Sequence, residues 1–150
     1  MSEDSPKKET GKLAVVLVRG LVNVSGPIKD TLAMLRITRK NTCVVLEGSA
    51  IVQGMLRKVK DYVTWGPISD ELFKELVDKR GQEFKARLED QKKKYSYKAV
   101  DINGKKFKPS FRLNPPRKGF GRKGIKVSFK AGGALGDRGD KMADLIMRMI

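Results

Sequence analysis

The apolar residues in the first half of the chain form three short runs separated by segments with helical spacing. Residues 13–19 are almost continuously aliphatic and are followed by Gly20, which is typical of a strand that is buried on both faces. Residues 42–46 and 62–65 predict a second and a third strand in the same way. Between the strands, apolar residues recur every three or four positions, which predicts one helix in each connection.

Local signals indicate where the two connecting helices begin. Pro27 suits the first turn of the first helix, and Ser49 is a favourable N-cap for the second. The apolar faces of the two helices comprise Ile28, Leu32 and Leu35, and Val52, Met55, Leu56 and Val59. The strand and helix order over residues 12–66 predicts an α+β fold, a small βαβαβ core with a three-stranded sheet and both helices on one face. The other face of the sheet then needs a cover.

The second half of the chain predicts two more helices with a less regular stretch between them. Ser69 precedes a third helix, which Gly81 ends. In residues 82–108 the apolar residues thin out and lysines accumulate, so this stretch fits a marginal helix or an extended excursion. Residues 125–129 have the composition of a strand. A final helix is predicted with Asp140 as its cap and with an apolar face made of Met142, Leu145, Ile146 and Met149.

The net charge of +16 is concentrated in one third of the 150-residue chain. Residues 1–78 carry a net charge of +2, whereas residues 79–130 contain 18 basic and 4 acidic side chains. A polyanion is therefore expected to bind the second half. We divide the chain accordingly into a mobile N-terminal tail (1–11), the core (12–66), and a helix with a basic RNA-binding extension packed on the core (67–150).

The composition excludes several classes of site. The chain has no histidine and one cysteine, Cys43, so imidazole-dependent triads, zinc sites and internal disulfides are ruled out. No acidic cluster has metal-ligand spacing, so neither a metal nor a cofactor is expected. The longest apolar run is too short for a membrane span, and the start of the chain lacks the apolar stretch of a signal peptide. We expect a cytosolic protein with Cys43 buried as a small hydrophobe, and an enzyme is the least expected class.

A glycine-rich basic stretch, residues 117–124, contains parts of three known motifs but lacks the context of each. The dinucleotide-binding pattern should lie between a strand and a helix, whereas here it follows two prolines and precedes a strand-like run. Residues 118–121 match the opening of the RNA-recognition-motif strand, but the next two positions are basic where an aromatic residue and a valine should follow. Residues 121–124 have the spacing of a KH clamp, yet no helix is predicted before them.

Phosphate contact is the interpretation that remains for this stretch and its flanks. Six cations lie among glycines and prolines that hold them away from a core, namely Arg112, Arg117, Lys118, Arg122, Lys123 and Lys126. The amides of Gly119, Gly121 and Gly124 are expected to add close phosphate contacts, because glycine lets the main chain approach a ligand. Structured RNA is favoured over DNA, since no recognition helix with basic residues on one face is evident.

A series of short motifs gives the chain a family resemblance from about residue 13 to residue 150. They are Leu17-Val-Arg-Gly20 with Asn23, Asp30-Thr-Leu-Ala-Met-Leu35, Gly54-Met55 with Lys58-Val59, Leu113-Asn-Pro-Pro-Arg117 with Gly119, and Lys130-Ala-Gly-Gly-Ala-Leu-Gly136. In this order and spacing the chain resembles the ribosomal large-subunit protein thirty family in its longer archaeal and eukaryotic form. The short bacterial form corresponds only to about residues 14–66.

The resemblance implies a ferredoxin-like core docked on the large ribosomal RNA, near the small ribosomal RNA of the same subunit and beside neighbouring ribosomal proteins. It implies no catalysis, cofactor, membrane or small-molecule substrate. It adds five RNA contacts on the core, namely Arg19, Arg39, Lys40, Arg57 and Lys58. Residues 79–108 vary among the longer members, so there the expectation rests on charge alone. We expect residues 82–108 to fold on RNA.

The predicted function is that of a structural constituent of the large ribosomal subunit in the cytoplasm. The chain would bind ribosomal RNA through its basic extension and core loops and stabilise RNA folding and subunit assembly. One alternative is a free RNA chaperone or translational regulator that uses the same basic surface. A second alternative, a small-molecule-binding regulatory domain of ferredoxin-like type, would have no use for the basic extension.

Overall fold

Strands and helices alternate through the first half of the chain, and the second half adds short strands and two helices. The computed structural model of the chain describes residues 11–94 and 99–150. Residues 1–10, which make up nearly all of the expected N-terminal tail, lie outside the described residues. The elements are β1 (Lys12–Leu17), α1 (Gly26–Met34), β2 (Thr42–Glu47), α2 (Ala50–Lys58), β3 (Val63–Pro67), α3 (Asp70–Arg80), β4 (Val100–Ile102), β5 (Lys105–Phe107), β6 (Ser110–Arg112), β7 (Gly136–Asp137) and α4 (Met142–Met149).

One sheet organises the fold, with β1 at its centre. Its strand order is β6-β2-β1-β3-β7, and β1 is antiparallel to both of its neighbours. The three middle strands are the predicted ones, and residues 13–18 are all buried, as expected for a strand covered on both faces. The two edge strands come from the second half of the chain: β6 pairs antiparallel with β2, and β7 pairs parallel with β3.

The first face of the sheet is covered by α1 and α2, as the sequence predicts. Alternate residues of β1 (Leu13, Val15 and Leu17) pack there with Leu32 of α1 and Leu56 of α2. Both helices begin at the predicted positions. Pro27 lies in the first turn of α1, and the Ser49 hydroxyl accepts a hydrogen bond from the Val52 amide of α2 at 3.3 Å.

The second face is covered by α3 and α4. The sequence predicted that this face needs a cover but did not indicate which elements provide it. Ala14, Val16 and Cys43 point to this side and pack against Leu76 of α3 and Met142 of α4. The predicted apolar face of α4 (Met142, Leu145, Ile146 and Met149) is fully buried, whereas Met147 is 52% exposed. Met142 and Met149 therefore belong to an ordinary core, which the sheet needs in order to bury its second face.

Two sequence predictions near the C-terminus are wrong. Residues 125–129 form turns and not a strand, with an isolated bridge from Ser128 to Leu135. Ile125, one of the apolar residues of this segment, packs near Val18 at the end of β1. Asp140 does not cap α4, because it lies inside a 3-10 turn that runs directly into the helix. The carboxylate of Asp137 begins this turn by accepting a hydrogen bond from the Gly139 amide at 2.8 Å.

The stretch 82–108 follows the extended alternative wherever the structure describes it. Strands β4 and β5 form an antiparallel hairpin, and Glu83 bridges Phe107 of that hairpin. The Lys108 amide donates to the Gln82 carbonyl at 2.8 Å, which ties the two ends of the stretch together. Residues 82–94 and 99–108, the described parts, contain no helix.

Candidate nucleic-acid interface

Five of the predicted RNA contacts lie on one loop, residues 117–126, which we call the basic loop. Their side chains are all exposed: Arg117, Lys118, Arg122, Lys123 and Lys126. Phe120 and Ile125 point inward from the same loop and pack near Val18 at the end of β1. The loop is thus anchored by apolar side chains on its inner side and presents cations on its outer side.

The buried guanidinium of Arg138 holds the middle of the basic loop. Arg138 directly follows β7 and is 5% exposed. Its Nη2 donates to the carbonyl of Phe120 at 2.6 Å and to that of Ala134 at 3.3 Å, and its Nε donates to the Thr64 hydroxyl at 3.0 Å. Because Thr64 lies on β3, a single side chain connects the loop to the central part of the sheet.

A second arginine, Arg148 on α4, holds the start of the loop. Its Nη1 donates to the carbonyls of Arg117 at 3.0 Å and Gly119 at 2.7 Å. The Arg117 amide donates in turn to the Arg148 carbonyl at 3.2 Å. Arg148 Nε also lies 3.2 Å from a carboxylate oxygen of Asp144, one helical turn earlier. The first residues of the loop are therefore fastened to the last turn of α4.

The guanidinium groups of Arg138 and Arg148 bind oxygen atoms of the protein itself. Burial, followed by the positive charge of Arg148, lowers the pKa of Arg138 to about 10. The guanidinium stays protonated at neutral pH, so the loop carbonyls keep a charged donor. Hydrogen bonds from charged donors are about twice as strong as neutral ones. The two arginines therefore orient the loop, while the exposed cations remain available for a ligand.

Two of the three glycines of the basic loop do not supply the free amides expected of them. The Gly119 amide donates to the Pro116 carbonyl at 3.2 Å, and the Gly124 amide donates to the Gly121 carbonyl at 3.3 Å. A side chain at Gly121 would collide with the carbonyl of Gly133, which crosses directly beside it. These glycines therefore let the loop turn and pack on itself, and the amides of Gly119 and Gly124 are occupied within the loop.

The predicted contacts on the core lie at separate positions: after the end of β1, in the turn before β2, and in the last turn of α2. Arg19, at the end of β1, has its guanidinium 5.1 Å from the Tyr62 ring centre, and its Nη1 donates to the Asp61 carbonyl at 3.3 Å. Arg57 and Lys58 are exposed in the last turn of α2, where the helix dipole also favours a cation. Since α2 and α4 cover opposite faces, these two cations are not brought together with the basic loop.

Arg39 and Arg112 meet at the β6 edge of the sheet. Both line a recess of about 360 Å³, together with Lys108, which the sequence did not single out. Lys40 is exposed in the turn beside Arg39, just before β2. The structure thus divides the predicted contacts among the basic loop, the recess, and separate positions at Arg19 and α2.

Sequence reasoning missed Arg138, Arg148 and Lys108. An arginine that binds protein groups cannot be told from an exposed arginine of the neighbouring loop by the apolar pattern of the sequence. Arg148 stands four residues after Asp144, which by itself indicates only a surface ion pair. Lys108 belongs to the lysine-rich stretch, so the charge count included it without placing it.

Other kinds of site find little support in the described part of the chain. Within residues 11–94 and 99–150, no group of three or more metal-ligating side chains is found. Cys43 is fully buried on the second face of the sheet, and its burial raises the pKa of the thiol to about 12. In the same residues, no helix is long and apolar enough to cross a bilayer.

Comparison with known proteins gives one consistent result. The family model described as ribosomal protein L30p/L7e matches residues 13–63. A protein of Nanoarchaeum equitans named large ribosomal subunit protein uL30 is 44% identical, covering 91% of this chain and 97% of its own. Proteins of the same name from Methanococcus maripaludis strain C5 and Methanopyrus kandleri are 42% and 38% identical, covering 91% and 89% of this chain and 98% and 100% of their own. The resemblance suggested by the sequence motifs is confirmed.

Proposed function

The chain belongs to the ribosomal protein L30p/L7e family, and on that premise we propose that it is a structural constituent of the large ribosomal subunit. It binds ribosomal RNA, stabilises the folded RNA and supports assembly of the subunit in the cytoplasm. Its role is to hold RNA in place and not to catalyse a reaction. Its partners are the large ribosomal RNA, the small ribosomal RNA of the same subunit, and neighbouring ribosomal proteins.

The observation that carries this proposal is the anchored basic loop. Arg138 and Arg148 bind its carbonyl oxygens, so its cations are presented outward from a backbone of defined shape. A loop that is ordered before binding loses less conformational entropy when it meets phosphates. Affinity then comes from phosphate neutralisation, and specificity comes from the match between the loop and the shape of the RNA.

The proposed contacts fall into two groups. The basic loop supplies Arg117, Lys118, Arg122, Lys123 and Lys126, and the remaining contacts are Arg19, Arg39, Lys40, Arg57, Lys58 and Arg112. All except the half-buried Arg19 are exposed. Because the second group is spread over the end of β1, the last turn of α2 and the β6 edge of the sheet, the protein would be in contact with several RNA segments and not laid on a single flat RNA surface.

A charge reversal on the basic loop tests the proposal. We expect Arg117, Lys118, Arg122 and Lys123 changed together to Glu to lower the affinity for ribosomal RNA by a factor on the order of 100 or more. In salt that screens long-range repulsion, thermal unfolding should hardly change, because these side chains are exposed. Filter binding to a transcript of the large ribosomal RNA and calorimetry measure the two quantities.

The matched control reverses four exposed basic residues outside the proposed contacts and outside the basic segment 79–130: Lys29, Arg36, Lys74 and Lys141. It lowers the net charge by the same amount and should reduce RNA affinity much less. Equal losses in both variants would mean that overall charge alone binds RNA. Unchanged affinity in the loop variant would refute the loop as the RNA-binding surface.

The alternative of a freely exchanging RNA chaperone is tested by sedimentation of a cell lysate. A structural constituent should remain with the large ribosomal particle after a high-salt wash, because many simultaneous contacts must break before it leaves. Release in moderate salt would instead favour a transient RNA binder that has the fold of the family and a different role.

A further inference from the structure

The recess at the β6 edge is lined by polar and charged side chains. All seven lining residues are polar or charged: Thr38, Arg39, Thr42, Gln82, Lys108, Ser110 and Arg112. Three are cations, and none of these seven described residues is acidic. The recess volume of about 360 Å³ lies at the small end of the range for ligand pockets, about 300–1,000 Å³. A small anion fits this lining better than an apolar group.

The sheet register explains why these side chains converge. Thr42 of β2 pairs directly with Arg112 of β6, so their side chains stand on the same face. The next residue along β6, Phe111, points to the opposite face and is buried under α3 and α4. Alternation then directs Ser110 to the side of Arg112. The main-chain bond between Lys108 and Gln82 closes the recess from the other end.

The cations of the recess are not neutralised within the protein. In the part of the chain that the structure describes, Arg39, Lys108 and Arg112 form no ion pair. A charged residue on an edge strand discourages pairing with other chains, and this would explain Arg112 alone. This role of an edge-strand charge does not explain Arg39 and Lys108, which come from a turn and from the end of a hairpin and lie at the same recess. An anion between them would remove their mutual repulsion.

We propose that the recess is a binding site for a backbone phosphate of ribosomal RNA, held by Arg39, Lys108 and Arg112. This inference rests on the proposed function and deepens it, because it joins two of the proposed contacts with Lys108 around one phosphate, separate from the basic loop. Hydroxyl groups of Thr42 and Ser110 stand beside the cations and can donate to phosphate oxygens. Arginine suits such a site because its guanidinium can bind two phosphate oxygens at once.

The salt dependence of RNA binding tests the site. Arg39 and Arg112 changed together to Gln should weaken binding and lower the slope of log affinity against log salt by about one for each lost phosphate contact. Arg112→Lys should retain most of the slope, since the charge remains. The matched control changes Lys29 and Lys74 to Gln and should leave the slope unchanged. The probe is a transcript of the large ribosomal RNA of Methanococcus maripaludis.

Three outcomes are decisive. A lower slope in the recess variant, with unfolding temperature unchanged and the control unaffected, supports the site. If the recess variant matches the control while the charge-reversed basic loop still loses affinity, the recess proposal fails and the proposed function survives. Inorganic phosphate is the other source of the same chemistry: if it shifts the NMR signals of the recess while the salt slope of the recess variant is unchanged, the assignment to RNA is overturned.

Discussion

Arginine side chains of this protein have two opposite roles within one short region. Arg122 is exposed and available to a ligand, whereas Arg138 is 5% exposed and donates three hydrogen bonds to protein groups. The Arg138 guanidinium also lies 4.9 Å from the centre of the Phe129 ring, a distance suited to a cation–π contact. Its contribution to the proposed RNA binding would therefore be indirect, through the shape of the basic loop.

Replacing Arg138 tests this indirect role. We expect Arg138→Met to lower the free energy of unfolding by about 2–4 kcal/mol, because it leaves the buried carbonyls of Phe120 and Ala134 without a charged donor. RNA affinity should also fall, although Arg138 itself is not accessible to RNA. Urea unfolding and filter binding measure the two effects.

The matched change Arg122→Met should show the reverse pattern. Because Arg122 is exposed, its loss should change stability by no more than about 0.5 kcal/mol and should weaken RNA binding directly. If Arg138→Met bound RNA as tightly as the unchanged protein, the basic loop would not need its internal anchor.

Strand β3 and helix α4 approach each other so closely that the contact depends on a glycine. A Cβ atom at Gly66 would lie 2.5 Å from the Met142 Cβ and 2.7 Å from the Gly139 carbonyl oxygen. This contact seats the C-terminal helix on the second face of the sheet, where its four buried apolar residues complete the core. The same helix carries Arg148, so the packing of α4 and the position of the basic loop are connected.

A pair of glycine substitutions separates this packing from helix propensity. Gly66→Ala should destabilise the protein by about 1–3 kcal/mol, because backbone and a helix Cβ must move. Gly54→Ala, on α2 with open space around it, should stabilise it by up to about 1 kcal/mol through better helix propensity. Chemical denaturation of both variants provides the test, and a harmless Gly66→Ala would contradict the close approach of β3 and α4.

The net charge of +16 affects the protein as a unit. Three ion pairs join described residues, and each is at least partly exposed: Lys12 with Asp70, Lys79 with Glu75, and Arg148 with Asp144. Exposed pairs of this kind contribute about 0–1 kcal/mol each. We expect the excess of like charge to outweigh them, so that the isolated protein is under net repulsion that bound RNA would relieve.

Sodium chloride should consequently raise the melting temperature of the isolated protein. The physical reason is screening, since the Debye length falls from about 30 Å at 0.01 M salt to about 10 Å at 0.1 M. The variant with four basic-loop cations changed to Glu has a smaller net charge and should gain less. Differential scanning calorimetry over a salt series measures both, and a melting temperature that fell with salt would show that the ion pairs dominate.

Much of the fold and part of the site follow from local patterns in the sequence. Strands β1, β2 and β3 lie where apolar runs predict them, and Ser49 and Ser69 cap the helices that follow them. These features depend on residues only a few positions apart, so they can be predicted from one sequence. The location of the excess charge and the family resemblance can likewise be obtained from the sequence alone. At residues 125–129 local propensity yields to packing against the distant end of β1. At Asp140 the failure is local, because Asp137 begins a 3-10 turn that contains Asp140 and leads into α4.

Which cations face a ligand is decided by tertiary structure alone. Arg138 reaches Phe120 across 18 positions and Thr64 across 74, and Arg148 reaches Gly119 across 29. The meeting of Arg39 with Arg112 likewise depends on the pairing of β2 with β6. The sequence by itself determines how much positive charge this protein carries and roughly where. The fold decides which arginines hold the loop and which remain outside, because burial is a property of contacts between residues that are far apart in the chain.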